Sequence, residues 1–284
     1  MIDYMKYLVL LLIAVSLSFC SCEKQNTDNS QFIEGVHDAN QGAEVQPIPA
    51  VKDGYQRFLS FNIRHARGMD EVVDYERIIN IIRAFDPDFV ALQELDSVNT
   101  RTDNVDQIKL LADSLTMYGY FGATIPYRGG KYGIGILSKQ KPVKMHHHPL
   151  PGDEKRAVLI AEFDDVVVAS THLDYKSEEN RITAVNIITQ VIQDIGKKAL
   201  LAGDLNEDKL NGGMFNALLA NWTIVSPIKN TFPTQPRPVK CIDFILSYGD
   251  KERYEIDAAD VVYKLPNIDL PGASDHYPVY IDFK

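Results

Sequence analysis

Polar side chains of a narrow set of types end or interrupt the apolar runs of this chain. Asn62 follows FLSF, Glu94 follows DFVALQ and His172 follows VVVAST. Asp204 and Asn206 follow KALLAG, Asp243 lies inside CIDFIL, and Asp275 and His276 precede YPVYI. Burying a polar group without a partner costs roughly 2–7 kcal/mol. A single cleft at one end of the strands would account for all of them at once. The set contains carboxylates, amides and two histidines, with no cysteine ligands and no glycine-rich phosphate loop. Oxygen donors of this kind suit a hard cation such as Mg²⁺, with Mn²⁺ a second option. Histidines beside acids suit proton transfer and stabilisation of developing negative charge. Together they describe metal-assisted hydrolysis of a phosphate ester.

The elements that must position these residues alternate between strands and helices. FLSFNI and DFVALQ read as strands separated by a helix in DYERIINIIRAFDP, with Asp74 as cap, Ile78, Ile82 and Phe85 on one face, and Pro87 as the stop. A polar helix is expected in NVDQIKLLADSL. YGIGILSK, RAVLIAEF and VVVAST are strand candidates. SEENRITAVNIITQVIQDIG predicts an amphipathic helix capped by Ser177 and closed by Gly196. KALLAG, CIDFIL and YPVYIDF complete the strands. Interleaved strands and helices, with several strand pairs joined by short turns, indicate mixed sheets covered by helices.

The chain has 284 residues, a net charge of −10 and 45% hydrophobic residues, enough for one large core. An acidic balance argues against permanent residence on a nucleic-acid backbone. Residues 1–22 are expected to form an export signal: Lys6 precedes an apolar run from Tyr7 to Phe19, too short for a transmembrane helix. The small residue before Cys22 resembles a bacterial lipoprotein processing site, which would make Cys22 the acylated residue. Residues 23–55, rich in Gln, Asn, Asp, Glu and Gly, read as a flexible tether, and residues 56–284 as the catalytic domain. Cys241, in an apolar run, reads as a buried small hydrophobe.

In order along the chain, FNIRHARGMD, PDFVALQELD, STHLD, AGDLNED, CIDFIL and SDHYPV resemble the motifs of the endonuclease/exonuclease/phosphatase superfamily. That superfamily includes pancreatic-type deoxyribonucleases, inositol polyphosphate 5-phosphatases and neutral sphingomyelinases. The resemblance covers residues 56–284. It implies an α/β four-layer sandwich, two packed mixed β-sheets flanked by helices. It implies Glu94 as principal metal ligand, with Asn62 and Asp275 at or near the metal. It implies Asp204 as the residue that orients or deprotonates water, with His276 open as an alternative base. Asn206 would hold the phosphate, His276 would contact a phosphate oxygen, Asp243 would orient His276, and His172 would donate to the phosphate or leaving group.

The sequence departs from the family at Lys131, Tyr132 and Gly133, where some members have a glutamate that pairs with the second histidine. His172 would then take another partner, such as Asp174 or Tyr132, or work differently. Arg156 matches a position where a branch of the family often has Arg and is read as binding phosphate or as supporting the site by ion pairs. His65 is read as facing the cleft to bind substrate or as an exposed loop histidine, and Arg181 as serving structure. HHH at 146–148 reads as a solvated edge or loop, because neighbouring strand residues alternate faces. Trp222 and Phe232 read as core or pocket wall, and TFPTQPRP as a loop at the substrate rim. The expected function is a Mg²⁺-dependent phosphodiesterase, monomeric and lipid-anchored at a bacterial envelope, acting on a small or lipid-type phosphodiester. An extracellular nuclease acting on nucleic acid is the first alternative. A non-catalytic surface-binding lipoprotein is the second.

Overall fold

The computed structural model describes residues 47–249 and 254–284. The export segment, Cys22 and the tether up to residue 46 lie outside the described residues. The packed body begins ahead of the expected boundary at residue 56. Ile48 packs against the core, and the Pro49 carbonyl accepts from the Arg57 guanidinium at 2.8 Å.

In chain order the strands are β1 (Gln56–Asn62), β2 (Phe89–Ser97), β3 (Tyr118–Tyr127), β4 (Gly130–Ser138), β5 (Lys144–Leu150), β6 (Arg156–Glu162) and β7 (Val167–His172). They continue with β8 (Ala199–Asp204), β9 (Trp222–Ile224), β10 (Asp243–Tyr248), β11 (Ile256–Val261) and β12 (Val279–Phe283). The helices are α1 (Tyr75–Phe85), α2 (Gln107–Leu115), α3 (Glu178–Ile195), α4 (Gly213–Leu219) and α5 (Leu270–Ala273). The strands form two six-stranded sheets, ordered β11-β12-β1-β2-β4-β3 and β5-β6-β7-β8-β10-β9. This is the two-sheet α/β sandwich that the sequence implies.

Period-two alternation holds the layers together. On β8, Leu200 and Ala202 join the core between the sheets, while Ala199 and Leu201 face the core beneath α3 and α4. β10 repeats this, with Ile245 in the first core and Phe244 and Leu246 in the second. The helices start where the sequence places them. Asp74 accepts from Glu76 N and Arg77 N at the head of α1, and Ser177 accepts from Asn180 N at the head of α3. Each such cap contributes about 1 kcal/mol.

Two parallel strand pairs, each bridged by a helix, set up the functional edge. β1 and β2 are parallel and joined through α1. β7 and β8 are parallel and joined through α3. The carboxyl ends of such strands form the crevice where ligands bind in open α/β sheets.

Candidate active site

Strand register carries most of the convergence. His172 of β7 lies opposite Asp204 of β8, and Asp243 of β10 lies opposite Asp204 on its other side. Asn62 ends β1 across the sandwich, and its amide donates to Asp204 Oδ2 and to Glu94 Oε1, each at 3.2 Å. Gly203 permits the close approach of β7 to β8: a Cβ there would lie 2.0 Å from the Thr171 carbonyl oxygen. Glu94 reaches the site through a β-bulge. The β2–β4 register shifts between Leu92 and Leu95, and Glu94 adopts φ 61°. Bulges commonly re-aim side chains beside active sites.

Asp204 is the hub. Its Oδ2 lies 3.4 Å from His172 Nε2 and 3.6 Å from His276 Nε2, and its Oδ1 accepts from Asn206 N at 2.9 Å. Burial raises the Asp204 carboxyl to about 7, against the lowering effect of the His276 charge. His276 pairs with Asp243: Nδ1 and Oδ2 are 2.8 Å apart. Burial opposes a charge on His276, but the Asp243 and Asp204 carboxylates outweigh it and raise the imidazole to about 10. His276 is therefore a cation at neutral pH. Phe232 packs over it with ring centroids 4.8 Å apart, so it forms pocket wall as expected.

His172 has the opposite environment. The guanidinium Nη1 of Arg156 lies 3.5 Å from its Nδ1. Burial, then the charges of Arg156 and His276, hold its pKa well below the ordinary value. Arginine only donates, so Nδ1 carries the lone pair and Nε2–H points to Asp204. Neither Asp174 nor Tyr132 partners this ring. Asp174 instead accepts from Ser177 N and Asn180 Nδ2 in the loop before α3.

Other residues stand as follows. Asn206 adopts φ 51°, and its amide donates to the Leu173 carbonyl at 3.0 Å. Asp275 lies at the cleft edge, 3.9 Å from Arg64 Nε. Arg181 bonds Glu207 at 2.6 Å and the Asp174 carbonyl at 2.9 Å, a structural role as expected. Trp222 is core, its indole donating to Thr189 Oγ1. His65 is not drawn into the hydrogen-bonded cluster. It is buried, with neither ring nitrogen partnered. Burial, with the Arg101 charge next, lowers it to about 4, against the raising effect of Asp96. The HHH run forms β5, the edge strand of its sheet. His146 pairs with Glu162 and stacks near His148.

Two supporting residues escaped the sequence reading. Thr231 Oγ1 donates to Asp243 Oδ2. Ser274 Oγ donates to the Asn62 carbonyl at 2.7 Å and accepts from His276 N at 3.3 Å. Ser274 lies inside the SDH motif itself, so position was the available signal. Thr231 opens the TFPTQPRP stretch read as a rim loop, but nothing in that stretch marked it as a partner of Asp243.

The donor chemistry fits a divalent cation. Burial, then the charge of Asp275, raise the Glu94 carboxyl, which marks a pair of acids in need of a counter-charge. Asp204, Asp243 and His276 also offer ligand atoms within 4.8 Å of one another. Asp243 Oδ2 and His276 Nδ1 are spent on a 2.8 Å bond, although Asp243 Oδ1 has no partner. Glu94 and Asp275 form the other candidate set, together with the Asn62 oxygen, which also accepts from Arg64 N at 3.1 Å.

The chain matches the Endonuclease/Exonuclease/phosphatase family over residues 59–276. It belongs to that family, and it is a metal-dependent hydrolase of phosphate esters. Among solved structures, a family member from Beutenbergia cavernae is 25% identical with a TM-score of 0.65, covering 81% of this chain and 71% of that one. A mannosyl-6-phosphatase from Bacteroides thetaiotaomicron is 16% identical with a TM-score of 0.64, covering 81% of this chain and 99% of that one. TDP2 of D. rerio, solved with a single-stranded DNA product, is 18% identical with a TM-score of 0.61, covering 82% and 100%. No protein of curated function matches the chain.

Proposed function

We propose that the chain is an exported, lipid-anchored phosphodiesterase that uses Mg²⁺ to hydrolyse a small or lipid-type phosphodiester. The arrangement around Asp204 is the observation that carries this reading, because it supplies each role that hydrolysis needs. The Asp204 carboxylate, raised to about 7, is poised to accept a proton from the attacking water. The His276 cation donates to a non-bridging phosphoryl oxygen and stabilises its growing charge. Asp243 holds the imidazole in position, and Thr231 holds Asp243. His172, neutral and protonated on Nε2, is a second donor. The Asn206 amide, backed by the Leu173 carbonyl, restrains the phosphate. Glu94, Asp275 and Asn62 would hold the cation, which when bound supplies Lewis-acid stabilisation of phosphoryl oxygens.

An acidic chain, with net charge −10, favours a compact phosphodiester over duplex DNA. The nuclease reading keeps one supporting observation, the shared fold with a protein captured with single-stranded DNA. The test is hydrolysis by the full chain of glycerophosphodiesters, phospholipid vesicles, a phosphomonoester and plasmid DNA, with Mg²⁺ and with EDTA. Metal-dependent cleavage of the glycerophosphodiester or the vesicles, lost in Asp204→Asn, supports the proposal. Preference for DNA or for the monoester would replace it.

A further inference from the structure

The catalytic cluster does not use the cavity that opens beside it. This cavity has a volume of about 570 Å³ and is lined by Thr124, His147, Lys155, Arg156 and Asn180 among others. That volume falls within the roughly 300–1,000 Å³ of small-molecule sites. Strand register sets it on the active-site edge. Leu150 of β5 pairs with Arg156 of β6, and Val158 of β6 pairs with Thr171 of β7, so the cavity wall continues into the end of β7 that carries His172. Arg156 belongs to both places, lining the cavity while its Nη1 lies 3.5 Å from His172 Nδ1.

The lining is rich in donors that nothing in the protein uses. The carboxylates beside it are occupied: Glu154 with Arg156 at 2.9 Å, and Asp153 with Lys176 at 3.0 Å. Among the described residues no carboxylate pairs with Lys155, which is exposed. His147 turns away from the face that His146 and His148 share and lines the cavity with no hydrogen-bond partner. Acceptors are present as well. Thr124 Oγ1 donates its proton to the Tyr132 carbonyl, leaving its lone pairs for a hydroxyl. The Asn180 amide donates to Asp174, leaving its oxygen free. A cation without a counter-ion, a free imidazole and hydroxyl acceptors together match a hydroxyl-bearing anion.

We infer that this cavity is a specificity subsite for the non-reacting part of the substrate, a sugar or polyol that carries a second phosphate. Lys155 and His147 bind the second phosphate, Thr124 and Asn180 bind ring hydroxyls, and the scissile phosphate sits at Asp204. The inference rests on the hydrolase reading for its place beside the scissile bond. Its binding chemistry is measurable without turnover.

The test is calorimetric titration of the full chain, in EDTA, with glycerophosphoinositol 4-phosphate and with glycerophosphoinositol. The phosphorylated ligand is expected to bind at least tenfold more tightly, and Lys155→Glu is expected to erase that preference. Lys155→Met, which keeps the stem and removes the charge, should lose part of it. Lys155 is exposed, so none of these changes threatens the core. Equal affinity for the two ligands, or a preference that survives Lys155→Glu, would overturn the subsite. Turnover of the same pair with Mg²⁺ separates the two claims. Failure to cleave either diester counts against the phosphodiesterase reading, whereas cleavage without preference counts against the subsite.

Discussion

His276 and His172 flank one carboxylate and are held by partners of opposite charge. Asp243 lies 2.8 Å from the Nδ1 of His276, and Arg156 lies 3.5 Å from the Nδ1 of His172. Both rings are buried and both point Nε2 at Asp204 Oδ2. Burial alone would keep each neutral. The carboxylates overcome it at His276, and the guanidinium reinforces it at His172. One fold edge thus makes a cationic donor and a neutral donor from the same residue type. With His276 cationic, Asp204 is the group of the three placed to accept the proton that an attacking water would release.

The largest effect expected is at the shared carboxylate. Asp204→Asn should lower kcat by about 10⁴-fold, read with the best substrate in Mg²⁺. The same change should raise the melting temperature of the metal-free protein at pH 8. The folded carboxyl titrates at about 7 and the unfolded one near 3.9. The unfolded state therefore binds fewer protons between these values, and stability falls as pH rises through that window. Removing the charge restores the loss, and a gain of about 2–4 °C corresponds to ~1 kcal/mol in a chain of this size. A lower melting temperature would contradict the assignment of burial as the dominant cause.

Next in size is Asp243→Asn, which attacks the cationic side alone. A loss of about 10³-fold in kcat is expected. The alkaline limb of kcat/KM should also move to lower pH, because His276 loses the carboxylate that most raises it. An unmoved limb would show that Asp243 acts on position without acting on charge.

The neutral side should be less sensitive. His172→Ala is expected to cost about 10²-fold in kcat. Arg156→Met should let the His172 pKa rise while burial still holds it down, so that activity on the acid side falls more in the variant than in the parent. An identical pH profile would mean that Arg156 serves substrate alone.

The smallest expected effect is thermodynamic. His276 is raised on folding, to about 10. Its contribution to stability is complete below the unfolded value near 6.5 and is lost as pH rises through about 10. The melting-temperature difference between parent and Asp243→Asn should therefore shrink across that window.

Much of this edge was legible in the sequence because it sits on buried strands with long apolar runs. Asn62, Glu94, His172, Asp204 and Asp243 each break such a run, and strand register brings them together. The strands that escaped are irregular in pattern. β3, YGYFGATIPY, has no clean alternation, β9 is only Trp222–Ile224, and β11, IDAADV, is half polar. All three, β3, β9 and β11, are sheet edges, where burial does not impose an apolar face. The Arg156–His172 contact escaped for another reason. It arises from the register of the β6–β7 hairpin, which no local motif announces. His65, read from a resemblance as facing the cleft or as an exposed loop histidine, is buried by the left-handed turn at Arg64–Ala66, near Arg101 and Asp96.

The most direct test is ¹⁵N NMR of the metal-free protein, labelled at histidine and assigned with His172→Ala and His276→Ala. At pH 7.5 the account predicts His276 protonated on both nitrogens and His172 neutral, with its proton on Nε2. Two neutral rings, or a protonated His172, would contradict it.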